Sequence, residues 1–333
     1  MRNPRALLFG GLVLVCLVVG VGYTLRARLL SSAPPPAADA PADPQVLAGI
    51  MARPHLLFLH APQGDAYRQV ALVPLDQLDG PRYLTPLQCQ RVSMASGRGL
   101  CMGSGQTATT FDSQFHVGPG LTQPGTPTRT RVAADGSIGT MTWFVAGHSY
   151  ADSTFSTQTL LVDPSSGASV ADLEQFSITK DGAPFRAVDF NFWGVTFARD
   201  PNTFYATLAS GGTTYLIQGD LAQRSARVLR DNVECPSLSP DGTRLAFKKR
   251  LDPNSPREWR LAILDLATME ETAVPGESHS VDDQVEWLDT SHILYAMQEP
   301  DTIRQNIWLA TLDASGDPPR QILQGAMSPS VAR

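Results

Sequence analysis

One pattern recurs along most of this chain: a short apolar strand, a turn, and a second apolar strand. The clearest copy is "SLSPDGTRLAF", whose turn is Ser239-Pro240-Asp241-Gly242. Pro240 fixes φ at the second turn position, and Gly242 can adopt the positive φ that closes such a turn. Further copies begin near residues 89, 129, 193 and 283. This turn is therefore one unit of a repeat and is not by itself evidence for a functional site.

The repeat predicts an all-β fold. A second turn follows in most copies, as in "LLVDPSSGAS", "LIQGDLAQRSA" and "AILDLATMEET", so each copy contains four strands. Four-stranded units of roughly 40 to 50 residues are the blades of β-propellers. Residues 54–333 contain six such units. We therefore predict a six-bladed β-propeller of four-stranded antiparallel blades over 54–333.

The two ends of this region predict how the ring closes. The final segment, "GAMSPSVAR", copies the first strand and turn of the repeat, whereas the unit that begins with "HLLFLH" lacks a first strand. We expect the C-terminal strand to complete the first blade, because this closure removes free sheet edges.

The repeat resembles that of TolB-like six-bladed propellers. The resemblance rests on "PSLSPDG", "WRLAILDLATMEETAV" and the terminal "MSPS", and residues 210–333 carry it most clearly. It implies a periplasmic or extracellular propeller that binds other proteins. TolB proteins also have an N-terminal α/β domain, whereas an apolar segment and a short linker occupy that place here.

The N-terminal segment predicts a membrane anchor. Residues 6–25 contain no charge, and Arg26 and Arg28 follow directly. As a helix, about 20 residues span about 30 Å, enough to cross a bilayer. Because no small-residue cleavage site follows the apolar core, we expect 1–30 to be an uncleaved signal anchor. We therefore expect a single-pass protein of the cell membrane, with its propeller outside the cytoplasm.

Residues 31–45 are Pro- and Ala-rich, and they predict an extended spacer at the start of a Pro/Ala-rich linker, 31–53. The net charge is −6 and no basic stripe is present, which argues against a nucleic-acid partner. We expect a protein, peptide or glycan of the cell envelope as the partner.

The chain has no C-x-x-C and no helical H-x-x-x-H pair, so neither a metal site nor a cofactor is predicted.

One segment favours an enzyme at first sight. Gly147-His148-Ser149-Tyr150-Ala151 resembles a nucleophile elbow, which requires a helix directly after the Ser. The residues that follow predict a loop and a strand instead, so we predict no catalytic residue and a non-enzymatic binding scaffold. The alternative is an enzyme of the propeller channel, either a metal-dependent lactonase or hydrolase or a cyclase.

Candidate ligand-binding residues lie where first strands begin, since that end of a propeller opens onto the central channel. Asp189, Asn191 and Trp193 are found at one such position, and Asp282 and Asp283 at another. The alternative interpretation is that the carboxylates are solvated loop residues and that Trp193 packs between blades.

The cysteines suggest one disulfide. Cys89 and Cys101 flank "QRVSMASGRGL", which predicts a hairpin turning near Ser96-Gly97. Cysteines so placed can bond in an oxidising compartment. The alternative is that both are buried thiols, as we expect for Cys235.

Overall fold

The structure is a computed structural model. It describes residues 39–40, 43–145, 156–252, 258–299, 304–313 and 316–333, all within one compact unit, Ala37–Arg333. The predicted transmembrane segment 6–25 and the elbow-like segment 147–151 lie outside the described residues. Within the described ranges, no helix has both the length and the apolar character needed to cross a bilayer.

Strands dominate the described ranges. Besides the helix α1 (Pro44–Met51), there are two short 3-10 helices, Leu75–Gln77 and Leu173–Gln175. In chain order the strands are β1 (Asp39–Ala40), β2 (His55–His60), β3 (Gln69–Pro74), β4 (Arg82–Gln88), β5 (Arg91–Ala95), β6 (Arg98–Met102), β7 (Thr107–Asp112), β8 (Val117–Thr122), β9 (Thr126–Val132), β10 (Gly139–Phe144), β11 (Thr157–Val162), β12 (Ser169–Asp172), β13 (Ser177–Lys180), β14 (Ala183–Phe185), β15 (Asn191–Phe197), β16 (Thr203–Ser210), β17 (Thr213–Asp220), β18 (Ser225–Asp231), β19 (Glu234–Leu238), β20 (Arg244–Arg250), β21 (Trp259–Asp265), β22 (Glu271–Ala273), β23 (Glu286–Trp287), β24 (His292–Gln298), β25 (Gln305–Thr311), β26 (Arg320–Gln324) and β27 (Ala326–Ala332).

These strands form six sheets, which confirms the predicted six-bladed propeller. Blade 1 has the order β27-β2-β3-β4, and blades 2 and 3 are β5–β8 and β9–β12. Blade 4 is β15–β18, blade 5 is β19–β22, and blade 6 is β23–β26. The four strands of each blade are antiparallel. β1 pairs in parallel with β4, and β13 pairs in parallel with β18, so two blades are extended at their outer edges.

The ring closes as the sequence predicts. β27 is the innermost strand of blade 1 and pairs antiparallel with β2, from His55 opposite Ala332 to His60 opposite Ala326. Residues far apart in the sequence therefore share one sheet, and the inner edge of β2 is paired.

Strand β2 shows why a continuous apolar run is needed in a blade. Leu57 and Leu59 pack with Val92 and Met94 of blade 2. Phe58, on the opposite face of the strand, packs in a cluster shared with blade 6. Because successive side chains point to opposite faces, and both faces are covered by a neighbouring blade, every residue of β2 is buried.

The Ser239-Pro240-Asp241-Gly242 turn is structural, as its sequence predicts. Asp241 Oδ1 accepts hydrogen bonds from Ser239 Oγ at 2.5 Å and Thr243 N at 3.1 Å. The Gly242 N–H donates to Ser239 O at 2.8 Å, and Gly242 has φ +75°. The Asp241 side chain is therefore used within its own turn.

The last part of the predicted linker 31–53 contains the helix α1, Pro44–Met51. Asp43 caps this helix by accepting from Gln45 N at 2.8 Å, and Pro44 occupies its first turn. Leu47 and Ile50 are buried in the core shared by blades 1 and 2. Met51 packs against the same core, and the Pro- and Ala-rich residues before the helix give no indication of this apolar pattern.

Candidate functional site

The six innermost strands are β27, β5, β9, β15, β19 and β23, and they surround the central channel. Where several of them begin, a cavity of about 390 Å³ opens between blades 1, 2 and 6. We call this cavity the channel mouth. Its lining includes Tyr67, Arg68, Arg91, Asp282 and Asp283. Charged residues from distant parts of the sequence thus share one cavity.

One side of the channel mouth carries arginines. Arg91, the first residue of β5, donates from Nε to Thr128 O at 2.6 Å and from Nη1 to Gln90 O at 2.9 Å. Arg68 donates to the same Gln90 oxygen at 3.2 Å, and its guanidinium lies 5.2 Å from the centre of the Tyr67 ring. Backbone carbonyls therefore hold both cations in place.

The channel mouth also carries two carboxylates, Asp282 and Asp283, in the loop before β23. Asp282 pairs with Lys248 Nζ and lies 3.8 Å from Arg129 Nη2. Burial tends to raise the pKa of Asp282, but the charges of Lys248 and Arg129 outweigh it and lower that pKa below its usual value. Asp283 Oδ2 accepts from the backbone N–H of Ala296 at 2.9 Å, which orients its side chain.

A buried ion-pair network lies behind Asp282. Lys248 of β20 has a side chain that is 4% exposed, and its Nζ lies 3.6 Å from Glu234 Oε2. Glu234, equally buried, also binds Arg250 Nε at 3.0 Å. Lys248 Nζ lies 4.3 Å from the ring centre of Trp259. The network connects blade 5 to the loop that carries Asp282.

Sequence reasoning missed Lys248 and Glu234. Lys248 alternates with apolar residues in "RLAFKKR", a pattern that indicates a solvent-facing side chain. The sequence did contain a signal for Glu234 and Arg91. Each begins the first strand of a blade, and the start of a first strand is the criterion by which Asp282 and Asp283 are candidates.

The structure separates the candidates of blade 4 from the channel mouth, because the cavity lining does not include Asp189, Asn191 or Trp193. Asp189 accepts from Ser210 Oγ and from Gly211 N, each at 2.7 Å. Asn191 is buried, and its Oδ1 accepts from Thr157 N at 2.7 Å. Trp193 is half-buried in β15. These hydrogen bonds of Asp189 and Asn191 connect strands and turns within and between blades.

Deeper in the channel, Arg131 connects three blades. It donates to Ser237 Oγ at 2.8 Å and to Val285 O at 2.9 Å, and it lies 3.2 Å from Glu286 Oε2. Beside these residues the cavity is only about 30 Å³. Arg131 and Glu286 therefore line a second, smaller cavity that shares Arg91 and Asp283 with the channel mouth.

Cys89 and Cys101 form a disulfide with a Cα–Cα distance of 5.4 Å. Cys89 lies between β4 and β5 and Cys101 on β6, whose hairpin with β5 turns at Ser96-Gly97 as the sequence predicts. Cys235 is a buried free thiol. Over the described ranges, no three His, Cys, Asp or Glu side chains are grouped so as to hold a metal ion.

No family model matches this sequence, and neither does any curated protein. Solved structures do match. TolB from Acinetobacter baumannii is 14% identical with a TM-score of 0.59, over 87% of this chain and 70% of that one. A putative TolB from Agrobacterium tumefaciens is 10% identical with a TM-score of 0.51, over 84% of this chain and 92% of that one.

A chain of a nidogen–laminin complex is also similar, with 10% identity and a TM-score of 0.57, over 84% of this chain and 98% of that one. At these identities the likeness concerns the fold alone. The protein has the fold of a six-bladed β-propeller, as the strand topology shows directly. Within that class its fold is similar to that of the two TolB structures, as the "SPDG" repeat predicts.

Proposed function

We propose that this protein is a non-enzymatic binding scaffold of the bacterial cell envelope, tethered to the membrane by residues 6–25, with its propeller outside the cytoplasm. Its partner is a protein or peptide that docks at the channel mouth. The observation that carries this proposal is the channel mouth itself, in which Arg68, Arg91, Asp282 and Asp283 line one cavity. Such a cavity provides oriented charges for recognition.

Two further features support the proposal. The 20-residue uncharged segment is long enough for an anchor, and the Cys89–Cys101 disulfide suits an oxidising compartment. Propellers of similar fold include TolB and a chain of a complex between nidogen and laminin. That complex is an example of a similar propeller solved with a protein partner.

Site-specific photocrosslinking in native membranes tests the binding role. A photoreactive residue in place of Tyr67, in the lining of the channel mouth, should give a discrete adduct with a cell-envelope protein. The matched control places the same residue at Arg199, an exposed position in the turn after β15. A discrete adduct from Arg199 and none from Tyr67 would contradict docking at the channel mouth.

A stoichiometric Ca or Zn in purified protein would favour the enzyme alternative, and elemental analysis of the full chain measures it directly. Turnover of a lactone substrate that depends on that metal would replace the scaffold proposal.

A further inference from the structure

The charges of the channel mouth are unevenly compensated. Asp282 pairs with Lys248 and Arg129, and Asp283 is held by a backbone N–H. No ion pair within 4 Å among the described residues involves Arg68 or Arg91. The two guanidinium groups therefore have no carboxylate partner within 4 Å, although Asp283 and Asp282 attract Arg91 over a longer distance.

The hydrogen-bonding capacity of both arginines is also only partly used. A guanidinium has five N–H donors in a planar fork. The described bonds of Arg91 involve one N–H on Nε and one on Nη1, and those of Arg68 involve one on Nη1. All the acceptors are backbone carbonyls, which satisfy a donor but carry no net charge.

The surroundings of Arg91 disfavour its charge. Burial is the larger cause and repulsion by Arg129 the second, and together they lower the pKa of Arg91 to about 10 despite the attraction of Asp283 and Asp282. An anionic group beside Arg91 would offset both effects. The side chain is already held in place by Thr128 O and Gln90 O, so little ordering would accompany binding.

The carboxylates of Asp282 and Asp283 in the same lining determine which kind of anion fits best. A phosphate carries more negative charge than a carboxylate and would be repelled more strongly by Asp282 and Asp283. A carboxylate carries one charge and matches the guanidinium fork with two oxygens. A peptide that bears carboxylates also brings backbone N–H donors, for which the oxygens of Asp282 and Asp283 are acceptors.

We propose that the channel mouth recognises an acidic peptide segment of the partner, whose side-chain carboxylate binds between Arg68 and Arg91 while its backbone N–H groups face Asp282 and Asp283. This inference rests on the proposed function, since it names the chemistry of the segment that docks. The cavity volume of about 390 Å³ falls within the range of sites that enclose small ligands.

The test uses the full chain in detergent micelles and two fluorescein-labelled peptides with blocked ends, Ala-Glu-Glu-Glu-Ala and Ala-Gln-Gln-Gln-Ala. Fluorescence anisotropy should show the glutamate peptide binding at least tenfold more tightly than the glutamine peptide. Its affinity should also fall as salt rises, because the interaction is between charges. Equal binding of the two peptides would overturn the inference.

Matched variants locate the site. Arg91→Gln and Arg68→Gln should each weaken binding of the glutamate peptide at least fivefold, whereas Arg199→Gln, which removes one exposed cation elsewhere, should leave it unchanged. Circular dichroism melting checks that each variant folds, and Arg91→Lys supplies a second variant that keeps the charge but loses the fork. Unchanged affinity in folded Arg91→Gln would overturn the inference.

Two competitors distinguish other ligands. Inorganic phosphate or a trimer of galacturonic acid that displaces the peptide at equal concentration would show a different anion site and overturn the peptide assignment. Failure of the acidic-peptide inference can be distinguished from failure of the proposed scaffold function. A crosslinked partner at Tyr67 that persists in Arg68→Gln and Arg91→Gln would leave the scaffold in place and reject its acidic-peptide chemistry.

Discussion

At the scale of single residues, Lys248 carries the largest expected effect on stability. Its side chain is 4% exposed and it balances the equally buried Glu234. Lys248→Met leaves Glu234 with Arg250 as its ion-pair partner. Removal of one member of a buried ion pair costs about 3–5 kcal/mol, and because Arg250 remains we expect about 3 kcal/mol, measured by urea unfolding.

Lys249→Met is the matched control on the same strand. Lys249 binds Glu271 at 2.5 Å, but it is more exposed and Arg230 binds the same carboxylate at 2.7 Å. We expect a loss of about 1 kcal/mol or less. Adding Glu234→Gln to Lys248→Met should recover part of the stability, since the two side chains are coupled. Equal losses from the two lysine variants would contradict the network described here.

A substitution at Asp189 tests whether this candidate ligand-binding residue instead stabilises the fold. Hydrogen bonds from Gly211 N and then Ser210 Oγ lower its pKa below the usual 3.8. Asp189→Asn should therefore destabilise the fold by about 1.5 kcal/mol at neutral pH, the low end for hydrogen bonds to a charged group. Binding of the glutamate peptide at the channel mouth should not change.

The pH dependence follows from the same carboxylate. Because its folded pKa is lowered, the stability that Asp189 contributes is present above about pH 4 and is lost as the pH falls through the folded value. The difference in unfolding free energy between wild type and Asp189→Asn should accordingly shrink between pH 7 and pH 3. Asp65→Asn, at an exposed carboxylate, is the control, and a constant difference for Asp189→Asn would reject the assigned role.

At the scale of elements, β27 is the strand on which closure depends. A chain truncated after Gly325 loses the ladder between β27 and β2 and exposes the buried residues of β2. Each lost hydrogen bond contributes about 0.5–1.5 kcal/mol, so several approach the whole stability of a domain, about 5–15 kcal/mol. We expect aggregation or rapid proteolysis of the truncated chain.

Asp241→Asn is the control for that truncation. Asn can accept the same turn hydrogen bonds from Ser239 and Thr243, so this variant should fold and melt nearly as wild type does. A truncated chain that melts with the full-length protein would show that β27 contributes little to the ring.

The disulfide between Cys89 and Cys101 gives a second prediction about stability, because it joins the segment before β5 to β6. Cys89 and Cys101 close a loop with a sequence separation of 12, for which chain entropy predicts a stabilisation of about 3 kcal/mol. Cys89→Ala with Cys101→Ala should lower the free energy of unfolding by about that amount, and reduction of the wild type should produce the same loss. Alkylation of both thiols in native, unreduced protein would contradict the bond.

Local pattern was sufficient for the elements and insufficient for the site. The "SPDG" turn, the apolar run of β2 and the return of β27 could be predicted because each depends on a few neighbouring residues. Helix α1 was hidden, since Leu47 and Ile50 are buried only by blades 1 and 2. Asp282 and Asp283 line the channel mouth, and their role in ligand binding stays a prediction. Arg68 and Arg91 line it too, but ring closure is what brings them close to the two aspartates.

At the scale of the whole molecule, the proposed topology makes a prediction of its own. With residues 6–25 in the membrane and the propeller outside, protease added to intact spheroplasts should degrade the propeller. A cytoplasmic protein in the same cells should survive as the control for membrane integrity. Full protection of the propeller until the membrane is lysed would reject the extracytoplasmic orientation.

The pairing of β27 with β2 also implies a delay during biosynthesis, because β2 is made long before its partner strand. About 270 residues separate the two strands, and at 5–20 residues per second a ribosome needs roughly 15 to 50 seconds to add them. Throughout that interval the inner edge of "HLLFLH" has no partner, and an unpaired apolar edge invites association with other chains. We therefore expect the nascent chain, rather than the finished ring, to be the form that most needs a chaperone.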